Sequence, residues 1–124
     1  MARSGNQIVE TFEAGQDLSA KQYYIIKLAS DGQIDPAGAA NTQSEGVLQN
    51  DPAAAGREAI VCVLGVTKCV AAEAIAVGDA ISTDTSGKGV VSASGEFILG
   101  KAITAAGADG DIFTMLFQPH GIKA

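Results

Sequence analysis

The chain has no tryptophan, aromatics make up only 5% of its 124 residues, and it carries a single histidine. Rigid ring platforms for stacking bases or sugars are therefore scarce. A zinc site takes about four ligands, and His120 lies far along the chain from Cys62 and Cys69, so no metal is expected. Those two cysteines, seven positions apart, read as free thiols acting as small hydrophobes, with a cross-strand disulfide as the alternative. Positive charge is also short: eight basic residues stand against fourteen acidic ones, a net charge of −6. That balance works against phosphate backbones and anionic lipid, so neither nucleic acid nor a membrane is an expected partner. No apolar run reaches the roughly 18 residues that suggest a bilayer span, and no basic-then-apolar opening marks an export signal. Synthesis in a cytoplasm is the expectation.

What is present is Ala, Val, Ile and Gly, with a hydrophobic fraction of 47%. The length suits one domain, long enough to bury a core without staples. Residues 1–7 ("MARSGNQ") are polar and offer nothing to a core, so they read as a flexible N-terminal arm, with a single β domain over 8–124. Extended, such an arm reaches about 23 Å at roughly 3.3 Å per residue, enough to hook a neighbour.

Strand signals follow at 8–14, 23–28, around Ile34, at Val47-Leu48, and most strongly at 59–66, where nearly every residue is apolar. A strand apolar on both faces should be covered twice, by a core and by something else. Pro36 argues against a central strand at its own position. The Ala-rich stretch 70–77 reads as loop or a single helical turn, because Gly78 stops it early. Further strands are expected at 80–83, 89–92, 97–104 and 111–117, the last with Phe113, Met115 and Phe117 on one face and Ile112 and Leu116 on the other. About eight short strands punctuated by Gly-rich turns predict a mainly β fold: a small barrel or sandwich, β-tulip or jelly-roll-like.

Chemistry-bearing patterns are thin. Gly87-Lys88 lacks the spacing of a phosphate loop, which needs Gly-Lys followed by Ser or Thr opening a helix. Lys88 at a hairpin tip could carry a lipoyl or biotinyl group, yet its neighbour is Gly87; a solvated turn lysine is the simpler reading. Asp79, Asp84, Asp109 and Asp111 adjoin Gly or strand ends, where Asp shapes turns. His120 has no nucleophile motif around it, and a thiolate at Cys62 would be disfavoured inside an apolar strand. No catalytic residue and no cofactor is assigned.

One order of elements stands out. It runs from Asp31-Gly32 through Gly46-Val47, 56–61 ("GREAIV"), Gly65-Val66, 76–84 ("AVGDAISTD"), 87–90 ("GKGV"), 100–102 ("GKA") and 110–112 ("GDI"). Together with short length and Ala/Gly/Val richness, it resembles the bacteriophage capsid decoration, or head cement, proteins over about three-quarters of the chain. The resemblance implies a structural virion protein on the outer face of the capsid. It implies the major capsid protein as partner and self-association, commonly as a homotrimer at threefold or quasi-threefold axes, tying neighbouring capsomers together. On that reading the working residues are interfacial: Ile8 and Phe12 beside the arm, and Tyr23 and Tyr24. A free-standing binding or carrier module is the second class, and a hydrolase dependent on His120 the third.

Overall fold

The computed structural model describes residues 2–124. It is all β, with no helix among those residues. Nine strands follow in chain order: β1 Gln7–Ala14, β2 Ile25–Leu28, β3 Gln33–Pro36, β4 Gly46–Leu48, β5 Glu58–Val70, β6 Ala80–Thr83, β7 Gly89–Val91, β8 Gly100–Ala102 and β9 Ile112–Phe117. They form one sheet in the order β1-β3-β2-β4-β5-β9-β8-β6-β7. Because β1 also pairs antiparallel with β5, the first part of that sheet returns on itself as a ring of β1, β3, β2, β4 and β5. The second part runs outward from β5 through β9, β8, β6 and β7, and a bridge from Ala71 to Gly89 brings its far edge back beside the end of β5.

β5 is thus shared by both halves, which is why a 13-residue strand can be apolar nearly throughout. Its β-branched residues Ile60, Val61, Val63, Val66, Thr67 and Val70 favour extended backbone. Its first half supplies Ala59 and Val61 to a core with Ala14, Leu18, Ile26, Ile34 and Leu48. Its second half supplies Cys69 to a separate core built on Ile25, Val47, Ile81, Leu99, Phe113, Met115 and Phe117. The second cover expected for this strand is therefore largely internal: two cores on one strand.

Period-two alternation explains β9, whose Phe113, Met115 and Phe117 are buried while Ile112 is 44% exposed. The Ala-rich 70–77 stretch is, beyond the end of β5, an irregular loop, as its composition suggested, pinned where buried Ala71 and Ile75 are bridged to Gly89 and Ala106. Pro36 ends β3 opposite Ile26, beyond the point where the β1–β3 ladder stops at Ala14 and Ile34, so its missing N–H breaks no pairing there. The strand expected over 97–104 shortens to Gly100–Ala102. Both cysteines are free and buried, and burial pushes the Cys69 thiol up to about 12 and raises that of Cys62.

Candidate functional site

The turns that carry most of the chain's aspartates are self-contained. Asp84 accepts hydrogen bonds from the backbone N–H groups of Ser86 and Lys88 and from the Ser86 hydroxyl. Asp111 accepts from the N–H groups of Gly107 and Ala108, Asp79 from Ala76, and Asp31 from Gln33. These carboxylates bind backbone, as turn-forming Asp does. Lys88 is half-buried rather than a freely solvated tip: its Nζ lies 2.9 Å from Asp109 Oδ1, a pairing that raises its pKa. Its side chain is engaged by another turn rather than standing free at the hairpin tip. His120 is exposed, with Nδ1 2.9 Å from the Gln118 carbonyl, whereas Cys62 and Cys69 are wholly buried. Among the described residues no group of three or more His, Cys, Asp or Glu could hold a metal.

The surface of β1 and β5 carries the features left over. Glu13 sits directly opposite Glu58 in the β1–β5 register, and with Asp31 they line an open cleft of about 490 Å³ beside Phe12. Farther along, the register slips between Ile8 and Val9, where Val63 is the extra residue of a bulge. At that bulge Ile8, opposite Leu64, is 56% exposed, Val9 is 46% exposed and Leu64 is 42% exposed. A shallow depression of about 290 Å³ lined by Asn6, Gln7, Ile8, Leu64 and Gly65 runs beside them. The other large exposed apolar residues belong to other strands and loops, so this is where two paired strands bare theirs together.

The interfacial residues named from the sequence are strung along β5 rather than gathered. Phe12 pairs with Ala59 and is half-buried against the ring core. Ile8 stands at Leu64. Tyr23 lies at the far end, its carbonyl accepting from the Val70 N–H, its φ at +68° and its ring 5.4 Å from Lys68 Nζ. Tyr24 is half-buried with Lys21 Nζ 4.7 Å above its ring. Positions 59 to 70 span roughly 35 Å at about 3.3 Å per residue, so Phe12 and Tyr23 are not one patch. Val9 and Leu64 are additions that sequence reasoning missed: within an unbroken apolar run nothing marks which residue a bulge turns outward.

The polar segment at 2–6 crosses β5 and reaches β9. Gly5 N–H donates to Val66 O at 3.0 Å and Val66 N–H to Asn6 O at 2.9 Å. Arg3 N–H donates to Thr114 Oγ1 at 2.6 Å, and the same hydroxyl donates to Arg3 O at 3.0 Å. Met1, the first residue of the expected arm, lies outside the described residues, and Gln7 already belongs to β1. The crossing needs glycine at 65: φ is +125°, and a Cβ there would lie 2.4 Å from Asn6 O and 2.6 Å from Gln7 Cα. Arg3, Ser4, Gly5 and Asn6 are all exposed and Ala2 is half-buried, so the segment is held chiefly through its main chain.

Comparison with solved structures finds the N base of the head fiber gp8.5 of bacteriophage phi29, with a TM-score of 0.72 and 20% identity, covering 94% of this chain and all of that one. At that identity the likeness is one of fold. No curated protein matches the chain. The family model for phage cement proteins matches residues 2–118, nearly the whole all-β unit described above. The chain therefore belongs to the phage cement protein family, structural proteins of the virion.

Proposed function

We propose that the chain binds the outer face of the expanded, DNA-filled phage head, contacts the major capsid protein and bridges neighbouring capsomers. Copies gather there as homotrimers at threefold or quasi-threefold axes, after synthesis in the host cytoplasm. The observation that carries this reading, given the family, is the exposed apolar pair Ile8 and Leu64, directly opposite each other beside the bulge and lining one depression. Solvent-exposed apolar side chains clustered on paired strands mark a surface that becomes buried on assembly. Phe12, half-buried opposite Ala59, extends this contact, and Tyr23 and Tyr24, half-buried toward the other end of β5, make a separate one. A net charge of −6 suits the outside of a shell better than its DNA-filled interior.

The mechanism is mechanical. Packaged DNA stresses the shell, and many copies of a bridging protein add binding free energy that is present only while neighbouring capsomers stay together. No bond is made or broken chemically. The test is shell binding by a variant with Ile8→Ser and Leu64→Ser, whose exposed positions leave the fold intact. Ile8 and Leu64 are 56% and 42% exposed, so together they offer about one side chain's worth of burial, about 1.5–3 kcal/mol, and affinity should fall about 10- to 100-fold. Unchanged affinity would remove the patch from the contact.

A further inference from the structure

We propose that the outer edge of β1, over residues 8–11, receives an extended segment of the capsid protein as an added strand, with a lysine or arginine of that segment seated among Glu13, Asp31 and Glu58. This rests on the reading above, in which the capsid protein is the partner.

β1 turns one side to β5 and leaves the other bare. Ala14 N–H donates to Arg57 O and Gly56 N–H to Ala14 O, at 2.8 Å each. By period-two alternation Phe12 and Glu10 also turn their main-chain groups toward β5, and Val9 and Thr11 turn theirs away. β3 takes up that outer side only at Glu13 and Ala14, and among the described residues no strand pairs with it at Val9 or Thr11. Both residues are exposed. The opposite end of the sheet is closed: Ala72 N–H donates to Gly89 O, and the Glu73 carboxylate accepts from Val91 N–H at 2.9 Å. An unpaired strand edge is a template for an incoming strand, which main-chain bonds then hold.

Charge selects the occupant. Thr11 also lines the cleft of about 490 Å³, where Glu13 and Glu58 stand opposite each other and Asp31 joins them. None of the three is in an ion pair; the salt bridge among the described residues is Lys88 to Asp109. Like charges opposed across paired strands repel, and a cation placed among them relieves the repulsion. A second copy fits badly. Its 2–6 segment is bonded to its own Val66 and Thr114, and Lys123 N–H near its other end donates to its own Glu96 O, so it has little free chain to lend. Pairing two β1 edges through both Val9 and Thr11 would set Glu10 of one copy directly opposite Glu10 of the other, a destabilising contact. The edge is thus guarded against its own kind and open to a basic strand, by repulsion as well as attraction.

The test measures amide exchange along β1 in the full chain, free and on cognate expanded shells, with shell binding followed separately by co-sedimentation. The Val9 and Thr11 amides should exchange freely in the free chain and at least about tenfold more slowly on shells. A benzophenone amino acid replacing Glu10 should cross-link to a capsid-protein peptide that contains lysine or arginine. Thr11→Pro removes an outward N–H that the ladder to β5 does not use, so it should leave Tm nearly unchanged yet weaken shell binding at least about tenfold. Glu58→Lys should weaken shell binding as well, most at low salt. Decorated shells with Val9 and Thr11 still unprotected, or cross-links to a second copy alone, would overturn the strand addition while leaving the functional reading intact. If the chain binds no shell, the functional reading falls instead, and peptides tiling the cognate capsid protein decide the edge. Protection of Val9 and Thr11 by a basic peptide upholds it, and protection by none overturns it.

Discussion

Replacing Gly65 by Ala, with Gly32→Ala as its matched control, isolates the cost of the crossing between the 2–7 segment and β5. Both glycines have positive φ, +125° at Gly65 and +85° at Gly32. At Gly32 an added Cβ meets nothing within 4 Å, so that variant reports backbone strain alone. A left-handed conformation costs an L residue about 1–2 kcal/mol, offset by about 0.4–1 kcal/mol from a stiffer unfolded chain, leaving about 1 kcal/mol. At Gly65 the new Cβ falls 2.4 Å from Asn6 O and 2.6 Å from Gln7 Cα, both backbone atoms that cannot rotate away. The segment must lift off, losing the bonds of Gly5 and Asn6 to Val66, worth about 0.5–1.5 kcal/mol each. The total is about 2–4 kcal/mol. For a domain of this length 1 kcal/mol moves Tm by about 4 °C, so Gly32→Ala should lower Tm by about 4 °C and Gly65→Ala by about 8–16 °C. Amide exchange adds a local readout: protection at Val66 should collapse in Gly65→Ala and persist in Gly32→Ala. Equal melting losses with Val66 still protected would refute the crossing.

Other consequences are separable. Glu58→Lys, which turns the Glu13–Glu58 opposition into an attraction, should stabilise the fold by about 0.5–1 kcal/mol in denaturant unfolding at low salt, with the gain shrinking in high salt. The Cys69 thiol, raised from 9.0 to about 12 in the folded chain, keeps its proton longer than it does unfolded. Stability from this group is therefore intact below about pH 9 and falls as pH rises toward 12, and unfolding of wild type against Cys69→Ala between pH 7 and 11 should show the difference. Neither cysteine should react with a thiol reagent until the protein is unfolded, since both are fully buried. Intact mass should equal the sequence mass with Lys88 unmodified, and Lys88→Gln should leave Tm almost unchanged because its partner Asp109 is largely solvated.

Local pattern carried much of this fold. The alternation in β9 and the turn-forming aspartates act over a few residues, and the structure places both as the pattern indicates. What stayed hidden was long-range. That β5 serves two cores depends on β1 returning to pair with it across some fifty residues of sequence, and no local window contains that. The bulge at Val63, beside exposed Leu64, is likewise a property of the pairing, not of the apolar run it interrupts. The 2–6 segment looked anchorless because it has no large apolar side chain; its contacts are chiefly main-chain bonds, to which composition is blind. Lys88 looked solvated because its partner, Asp109, lies 21 residues away in another turn.

The central claim is tested most directly by co-sedimenting the purified chain with cognate capsids stripped of decoration, in expanded and unexpanded forms. The account predicts saturable binding to expanded shells alone, at a fixed number of copies per shell, with bound shells resisting heat or chelation longer than bare ones. Binding that never saturates, or none to either form, would contradict it.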